Sequence, residues 1–427
     1  MSKEYLLKGG RIIDPARKID QVGDIGIRAG RLVDPAELVK PEVIDIAGLV
    51  AAPGFLDLHV HLRQPGNPAA ETIASGTRAA AAGGFTTIVA MPNTNPPADT
   101  AAEVEYIRQL AAKSGAVKVL ACGCLTKNRE GREMAGIGAL AKAGVVALSD
   151  DGGCVQDHAL MRHIAEYAMP FHLPILEHCE ETQLAAGGVM HEGKWSVLLG
   201  MRGISSAAEE LIVARDILLA RMTGTRFHMQ HVSTAGSVEL IRQARKEGLP
   251  VTGEVTPHHL SLTDECIKTY DTNYKMNPPL RSESDRQALL AGLADGTLTA
   301  IATDHAPHTE MSKLVEFDAA PFGIIGLETA LAVSLTYLYH TKVLTLPQLI
   351  AKLTCGPAEV IASDAGTLEP GRPADVTVFD PDRVWTVDPE QFESQSRNTP
   401  YGGMELKGKV IHTFVDGRPV FRDGAIH

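Results

Sequence analysis

The sequence predicts an α/β protein: a (β/α)8 barrel of the TIM type, with a small β-sandwich that both chain ends form together. Eight short apolar runs rich in β-branched residues recur between residues 54 and 306, and most are followed by a turn and a stretch of helical composition. The chain has 427 residues, 44% of them hydrophobic, which is enough to enclose one large barrel core. The two flanks have a different pattern, of short strands separated by turn residues.

The eight runs define the barrel strands in chain order. They occupy residues 54–62, 85–93, 117–125, 145–151, 171–178, 226–233, 249–260 and 298–306. Between them the pattern predicts helices that include residues 101–114, 157–168, 207–222 and 236–247, the last with Thr234 as its N-cap. Neither flank is long enough for a comfortable core of its own, so we predict a sandwich domain from residues 1–52 plus 367–427 and a barrel domain from residues 53–366.

The charge and composition exclude several classes of protein. Lys and Arg number 40 and Asp and Glu number 52, and the resulting net charge of -12 at pH 7 repels nucleic acid and anionic membranes. The beginning of the chain, MSKEYLLKGG, has no apolar signal region, and glycine and proline interrupt the longest uncharged stretch, residues 79–98. We therefore expect a cytoplasmic protein without a membrane span, whose six scattered cysteines are reduced and structural.

Residues that can bind metals stand at the ends of several predicted strands. His59 and His61 close the first run, and because alternate residues of a strand share a face, both imidazoles should point into the barrel mouth. The other polar endings are Ser149-Asp150-Asp151 on the fourth strand, Glu177-His178 on the fifth, His231 on the sixth and Thr303-Asp304-His305 on the eighth. Active sites of such barrels lie at the C-terminal ends of the strands, so the endings predict one metal site.

The number of these residues predicts two metal ions. Four histidines (59, 61, 178 and 231) and two aspartates exceed the ligands of one tetrahedral Zn²⁺, and the mixture of imidazole and carboxylate suits zinc better than Mg²⁺. We expect two Zn²⁺ per subunit, the second held more weakly, with a bridging carboxylate between them. Asp151 is the first candidate for the bridge, and its neighbour Asp150 competes for that role.

Four further histidines and one aspartate in the loops at the mouth need separate interpretations. Asp304 can act as a general acid and base beside an activated water, and the alternative is a plain metal ligand without a proton role. His308 is a candidate donor to the substrate, whereas we expect His305 to be structural. The neighbouring His258 and His259 receive no role from the sequence and are also expected to be structural.

Nine motifs together resemble those of one enzyme family. In chain order they are DLHVHLRQPG, MPNTNP, LSDDG, the pair EH at 177–178, HVST, EVTPHHL, KMNPPLR, TDHAPH and APFGIIGLET. This set resembles the dihydroorotases of the amidohydrolase superfamily, of the class I type with an Asp metal bridge, over roughly 270 residues. Arg63 and Asn93 look like the way in which this family holds a substrate carboxylate, and an arginine fork can bind a carboxylate with two hydrogen bonds.

The resemblance implies a role for each site residue. His59, His61 and Asp304 would bind the first zinc, His178 and His231 the second, and Asp151 would bridge them. The residues implied to contact substrate are His61, Arg63, Asn93, Asn277 and His308, together with the backbone at Phe322 and Gly323. The implied reaction is the reversible cyclisation of N-carbamoyl-L-aspartate to L-dihydroorotate plus water, the third step of de novo pyrimidine synthesis. A metal-bridging hydroxide would be the nucleophile in the hydrolytic direction, and Asp304 the general acid and base.

One departure from many relatives narrows the alternatives. Hydantoinases and one branch of dihydroorotases bridge their metals with a carboxylated lysine on the fourth strand, but this strand, VVALSDDG, holds no lysine, and Lys142 precedes it at the wrong end. The rival interpretations are another cyclic amidase, of the hydantoinase, dihydropyrimidinase or allantoinase type, and a silent dihydroorotase-like scaffold for aspartate transcarbamoylase. We expect a homo-oligomer, a dimer by preference, and aspartate transcarbamoylase as a candidate partner; residues 307–321 are predicted to be a lid that orders over bound substrate.

Overall fold

The N-terminal part of the chain forms strands that belong to one sheet. The computed structural model, which describes residues 3–427, starts with five strands: β1 Glu4–Asp14, β2 Ile19–Arg28, β3 Arg31–Val33, β4 Glu42–Asp45 and β5 Val50–Pro53. β2 runs antiparallel to β1 after a tight turn at Pro15–Arg17, where the Asp14 carboxylate accepts the Arg17 amide at 3.3 Å. β4 and β5 both run parallel to β1, each along a different part of its length.

The next ten strands contain the barrel. They are β6 Phe55–Val60, β7 Phe85–Ala90, β8 Lys118–Gly123, β9 Ala147–Leu148, β10 Ile175–Glu177, β11 Met190–His191, β12 Gly203–Ile204, β13 Phe227–Met229, β14 Val251–Val255 and β15 Ala300–Ile301. All except the short β11–β12 pair form one parallel sheet of eight strands in sequence order. Val60 pairs with His305, and the His61 amide donates to the His305 carbonyl at 2.9 Å, so the last strand returns to the first. All eight predicted barrel strands are confirmed.

Fourteen α-helices lie along the described residues, most of them between barrel strands. They are α1 Ile73–Ala82, α2 Ala101–Ser114, α3 Ile137–Ala143, α4 His158–Ala168, α5 Thr182–Ala185, α6 Lys194–Leu199, α7 Ser206–Thr223, α8 Ala235–Lys246, α9 Pro257–Ser261, α10 Glu283–Ala294, α11 Glu310–Lys313, α12 Ala330–Ser334, α13 Leu346–Leu353 and α14 Cys355–Val360. The Thr234 hydroxyl accepts the Ser237 amide at 3.1 Å, which confirms the predicted cap of α8. None of the helices described is long and apolar enough to cross a membrane.

The barrel is packed inside and outside. Apolar side chains such as Phe55, Phe85 and Phe227 are fully buried between the strands and the outer helices. A second cluster, which includes Leu58, Met91 and residues of α14, fills the interior of the barrel beneath its mouth. The six cysteines are all free thiols in this structure, as predicted.

Both ends of the chain meet in one sheet. The last strands are β16 Val376–Thr386, β17 Glu405–Val415, β18 Arg418–Arg422 and β19 Ala425–Ile426. β16 pairs antiparallel with β5, and this joins the C-terminal strands to the N-terminal ones in a nine-stranded sheet. The rings of Tyr5 and Phe414, from the two ends, pack edge to face at 5.6 Å. The division into domains at residues 1–52 plus 367–427 and 53–366 stays a prediction.

Candidate active site and metal centre

The six residues predicted to bind metal converge at the C-terminal ends of the barrel strands. His59 lies in β6 and His61 directly after it, while the other four follow β9, β10, β13 and β15. The six are His59, His61, Asp151, His178, His231 and Asp304, and each is at most 5% exposed. Because a parallel barrel brings all these strand ends to one side, residues up to 245 positions apart in sequence meet in one cluster.

The ligand atoms of the cluster lie within a few ångströms of each other. His61 Nε2 is 2.9 Å from Asp304 Oδ1, and His59 Nε2 is 3.4 Å from the same oxygen and 3.2 Å from Asp151 Oδ1. On the other side, His178 Nδ1 lies 2.9 Å from His231 Nε2, and these nitrogens are 3.7 and 3.6 Å from Asp151 Oδ1. Asp151 thus lies between two pairs of histidines, His59 with His61 on one side and His178 with His231 on the other.

The two neighbouring aspartates have different surroundings. The Asp150 carboxylate accepts the backbone amides of Leu125 and Thr126 at 2.9 and 3.1 Å and the Thr126 hydroxyl, so it holds the loop after β8. Asp151 instead points at the histidines, and its Oδ1 has no hydrogen-bond partner among residues 3–427. The geometry therefore favours Asp151 over Asp150 as the residue available to a metal.

The distances and unpaired atoms fit a metal-binding cluster. With Zn–N bonds of about 2.0–2.1 Å, two ligands of a tetrahedral zinc stand roughly 3.3 Å apart, which is close to the separations observed here. His59 Nε2 is also buried without a hydrogen-bond partner in the part of the chain described, and such an atom costs free energy unless something binds it. Three overlapping triads of these residues bring their ligand atoms within 4.8 Å of one another.

Neighbouring side chains orient the two histidines of the first strand. His59 Nδ1 lies 3.1 Å from Glu254 Oε1, and His61 Nδ1 lies 2.9 Å from Asn93 Oδ1, and both of these oxygens are hydrogen-bond acceptors. Each contact keeps the proton on Nδ1 and leaves Nε2 free as a ligand, the usual second layer of a metal site. Glu254 was missed in the sequence, although an acidic residue inside the buried strand β14 is rare unless it is paired.

Charge pairing keeps the acidic residues of the cluster ionised. Burial raises the pKa of Asp304, but the nearby His59 and His61 outweigh burial and hold this pKa well below its ordinary value. Burial likewise opposes ionisation of Asp151, and its histidine neighbours lower its pKa well below the ordinary range. For Glu254, hydrogen bonds from His228 and His59 overcome burial and lower the pKa to about 2. All three are carboxylates at neutral pH, the form that a metal or a histidine needs.

Three site residues adopt the left-handed backbone region. Arg63, His231 and Asp304 have φ values of 53°, 33° and 48°. For residues with a Cβ atom this conformation costs about 1–3 kcal/mol each and is concentrated at active sites, where the surrounding structure enforces it.

The alternation of side chains expected for β6 is interrupted, because the pairing of β6 with β7 shifts register between Asp57 and Val60. His59 and His61 nevertheless reach the same two aspartates, Asp151 and Asp304.

A cavity of about 240 Å³ opens on the metal-binding cluster. Its walls contain five of the six candidate ligands, all except His59, which lies beneath. All residues that the sequence implied for substrate contact also line it: His61, Arg63, Asn93, Asn277, His308, Phe322 and Gly323. Residues that follow seven of the eight barrel strands thus surround one space, and the candidate substrate residues lie next to the candidate ligands.

Several polar atoms of residues that line this cavity have no hydrogen-bond partner among the described residues. Arg63 donates only from Nε, to the Pro307 carbonyl at 3.1 Å, so its two terminal nitrogens have no hydrogen-bond partner among the described residues. Asn277 Oδ1 is buried without a partner there as well. A half-buried arginine fork and an unpaired amide in a cavity are suited to a small polar ligand that carries a carboxylate.

Gly323 occupies a position that no other residue could fill without rearrangement. Its φ is 148°, and a Cβ atom there would stand 2.7 Å from both the Ala306 carbonyl and the His308 ring. His308 donates from Nε2 to the Phe322 carbonyl at 2.7 Å, and burial together with the charge of Arg63 lowers the pKa of His308 to about 3. The imidazole is therefore neutral, and it joins two loops of the cavity.

The three histidines expected to be structural lie outside the triads, and two of them, His305 and His259, hydrogen-bond to protein atoms, whereas His258 Nε2 has no partner among the described residues. His305 Nε2 is 3.2 Å from Glu71, and its Nδ1 accepts the Gly326 amide at 3.2 Å. His259 Nε2 donates to the Pro278 carbonyl at 3.0 Å, next to Asn277, while burial holds the pKa of His258 well below its ordinary value. The segment 307–321 contains the short helix α11, and its motion as a lid stays a prediction.

The fold and this site define a class of protein, a barrel hydrolase of the amidohydrolase type with a cluster of His and Asp side chains that could hold metal ions. A family model described as "Dihydro-orotase-like" matches residues 48–237. A dihydroorotase of Pelotomaculum thermopropionicum is 51% identical over 427 residues, which cover 99% of this chain and 100% of that relative. A second, from Solibacter usitatus, is 50% identical over 96% of each chain. The chain belongs to the dihydroorotase family; it is a hydrolase that acts on a cyclic amide.

Solved structures agree on the fold. An L-hydantoinase (dihydropyrimidinase) from Arthrobacter aurescens superposes with a TM-score of 0.89 at 25% identity and covers 100% of this chain and 98% of its own. A dihydropyrimidinase from Brevibacillus agri superposes with a TM-score of 0.86 at 21% identity, covering 99% of this chain and 96% of its own. The predicted barrel is confirmed, as is the resemblance to dihydroorotases.

Proposed function

We propose that the chain catalyses the reversible conversion of L-dihydroorotate and water to N-carbamoyl-L-aspartate at a centre that holds two Zn²⁺ ions. The observation that carries the proposal is the single cavity that joins the His/Asp cluster to the free fork of Arg63. A cyclic amide bound there would have its ring carbonyl at the metals and its carboxylate at the arginine. The proposal is consistent with the dihydroorotases about 50% identical to this chain.

The proposed metal ligands are consistent with the distances between their side-chain atoms. His59 and His61 would bind the first ion through Nε2, together with Asp304. These two nitrogens lie 3.4 and 2.9 Å from Asp304 Oδ1. His178 and His231 would bind the second ion, and Asp151, which reaches both histidine pairs, would bridge. When bound, such a metal pair acidifies a water molecule and polarises the carbonyl that the water attacks.

The residues of the cavity orient the substrate. Arg63 would donate its two terminal N–H groups to the substrate carboxylate, with Asn93, Asn277 and His308 supplying further polar contacts. The backbone at Phe322 and Gly323 would close the cavity over the ring, because Gly323 leaves no side chain in that space. The electrostatic attraction of Arg63 and the metals for a dianionic product would offset the repulsion from the chain's net charge of -12.

Asp304 is the residue that we propose moves the proton. In hydrolysis it would take a proton from the attacking water and give it to the ring nitrogen as the C–N bond breaks. In cyclisation the ureido nitrogen attacks the carbon of the β-carboxyl group, and a C–O bond of that group breaks. Asp304 would take the proton from the nitrogen and give it to the departing oxygen, which leaves as water. The ionised state of Asp304 at neutral pH is the form that accepts the proton first.

The rival functions lack the observation that supports this one. A hydantoin or dihydropyrimidine ring carries no carboxylate to pair with Arg63, and the strand that bridges with a carboxylated lysine in hydantoinases has Asp151 here. A catalytically silent scaffold would not need six buried His and Asp side chains whose nitrogen and oxygen atoms lie close enough together to hold a metal ion. Cytoplasmic location, a homodimer and an association with aspartate transcarbamoylase stay predictions from the sequence.

The decisive experiment pairs a metal analysis with a substrate comparison. The purified protein should contain about two zinc ions per chain, and it should hydrolyse L-dihydroorotate far faster than dihydrouracil, which has no carboxylate. A zinc-reconstituted protein that hydrolyses dihydrouracil but not dihydroorotate would support the hydantoinase alternative. Absence of any bound transition metal, with neither substrate consumed, would overturn the proposal.

A further inference from the structure

A short segment between β16 and β17 packs against residues that follow β6 and β15. We name residues 393–398 the C-terminal strap. Its first amides, of Glu393 and Ser394, donate to the two oxygens of the half-buried Glu328 at 3.1 Å each. Further along, the Gln395 amide donates to Glu71 at 3.2 Å, and the Ser396 hydroxyl donates to the Ala70 carbonyl at 2.7 Å. The strap is therefore attached at its start and in its middle to the barrel, well outside the substrate cavity.

The end of the strap reaches the loops of the cavity through one side chain. Asn398 is 4% exposed, and all of its amide hydrogen bonds are to backbone atoms. Its Nδ2 donates to the carbonyls of Ala306 and Gly323, both at 3.0 Å, and its Oδ1 accepts the amide of His308 at 3.1 Å. The Ile325 amide donates to the backbone carbonyl of Asn398 at 3.1 Å.

These contacts join the two loops that face the substrate. Ala306 and His308 belong to the loop that follows β15 and Asp304, and Gly323 belongs to the loop 322–326. Ala306, His308 and Gly323 all line the cavity. The Asn398 amide can donate to both carbonyls and accept from an N–H at the same time, which a carboxylate or a hydroxyl of similar size cannot do.

We propose that Asn398 is a positioning residue for substrate binding, which fixes the separation of the His308 and Gly323 loops from outside the barrel. The proposal rests on the proposed dihydroorotase function. Asn398 itself lies outside the cavity wall, so it acts through the backbone groups that it holds. Loss of the amide should weaken the binding of substrate while leaving the metal ligands and Asp304 in place, because none of the six ligands is bonded to Asn398.

The test uses two variants of Asn398 and a control from the same strap. Asn398→Ala removes all three side-chain hydrogen bonds, and Asn398→Asp keeps the size and the acceptor for His308 but turns an oxygen towards two carbonyls. Ser396→Ala is the matched control, since it removes one strap hydrogen bond that lies away from the cavity. For each full-length zinc-loaded protein we would measure KM and kcat for L-dihydroorotate, zinc content and the midpoint of thermal unfolding.

The expected result is a rise in KM with little change in kcat. Displaced contacts at a binding site commonly cost one to two orders of magnitude, so KM should rise about 10- to 100-fold in both Asn398 variants. In these variants kcat should stay within about threefold and the zinc content unchanged, and Ser396→Ala should leave KM within about twofold of the wild type.

Other outcomes separate the two proposals. An unchanged KM in Asn398→Ala, an equal change in Ser396→Ala, or a kcat that falls as much as KM rises would overturn the positioning role. Failure of both Asn398 variants to fold, when Ser396→Ala folds, would also overturn it, because it would assign Asn398 to stability alone. A wild-type protein that binds zinc but does not turn over dihydroorotate would instead refute the proposed function.

Discussion

Replacement of Arg63 by methionine tests the central feature of the proposed site. In the structure the arginine side chain makes a single hydrogen bond within residues 3–427, from Nε to the Pro307 carbonyl, and the residue lines the cavity. Methionine keeps a similar length, and as an L-residue it meets the same backbone cost at the φ of 53°. The change therefore removes the charge, the two free donors and the one hydrogen bond from Nε to the Pro307 carbonyl, while it adds no backbone strain.

The magnitude follows from the two donors. A hydrogen bond to a charged group contributes about 1.5–3 kcal/mol, so two of them amount to roughly 3–6 kcal/mol. Each 1.36 kcal/mol corresponds to a factor of ten in rate, which predicts a loss of about 10²- to 10⁴-fold in kcat/KM for dihydroorotate. Arg63→Lys keeps the charge but not the fork, and it should recover part of this loss.

The assay is the hydrolysis of L-dihydroorotate, followed by the loss of its ring absorbance. Dihydrouracil serves as the second substrate, and its slow turnover should change less than about threefold in Arg63→Met because it has no carboxylate. The exposed Arg132 supplies the control variant Arg132→Met, which should behave as the wild type. A variant Arg63→Met that keeps kcat/KM within tenfold, or that loses both substrates equally, would refute the carboxylate role.

Three further predictions concern the metals and stability. Glu254→Gln should weaken zinc binding about tenfold or more, measured by competition with a chelator, because His59 loses the charge that orients it. Asp151→Asn should lower the bound zinc per chain, whereas Asp150→Asn should keep its zinc and only lower the midpoint of thermal unfolding. Burial lowers the pKa of Lys313 to about 7 from 10.5, so above pH 7 the unfolded chain binds the extra proton and stability rises with pH. Lys313→Met should remove this rise, at most about 1.4 kcal/mol per pH unit between about pH 7 and 10, in unfolding experiments.

Each of these has a result that would contradict it. An unchanged zinc affinity in Glu254→Gln would mean that His59 is oriented without its carboxylate partner. Equal zinc loss in the two aspartate variants would reopen the choice between Asp150 and Asp151. For Lys313, the same pH dependence in wild type and variant would show that the buried amine keeps its proton through this range.

The sequence determined the barrel and most of the site, because both depend on local patterns combined with one general rule of the fold. The periodic spacing of apolar residues that predicts a strand or a helix lies within a short stretch of sequence. For example, α2 is predicted at 101–114 and observed at Ala101–Ser114. A parallel barrel brings all C-terminal strand ends together, so His or Asp at several of those ends could be assigned to one centre before any contact was known.

Contacts between distant segments were decided by the tertiary structure alone. The choice of Asp151 over Asp150 depends on which carboxylate meets the Thr126 loop, 24 residues away. Glu254 reaches His59 across 195 residues, and Asn398 holds groups 75 and 92 residues away. No period or motif encodes such pairings, since each depends on the packing of several elements at once, and the polar atoms are satisfied only when those elements meet.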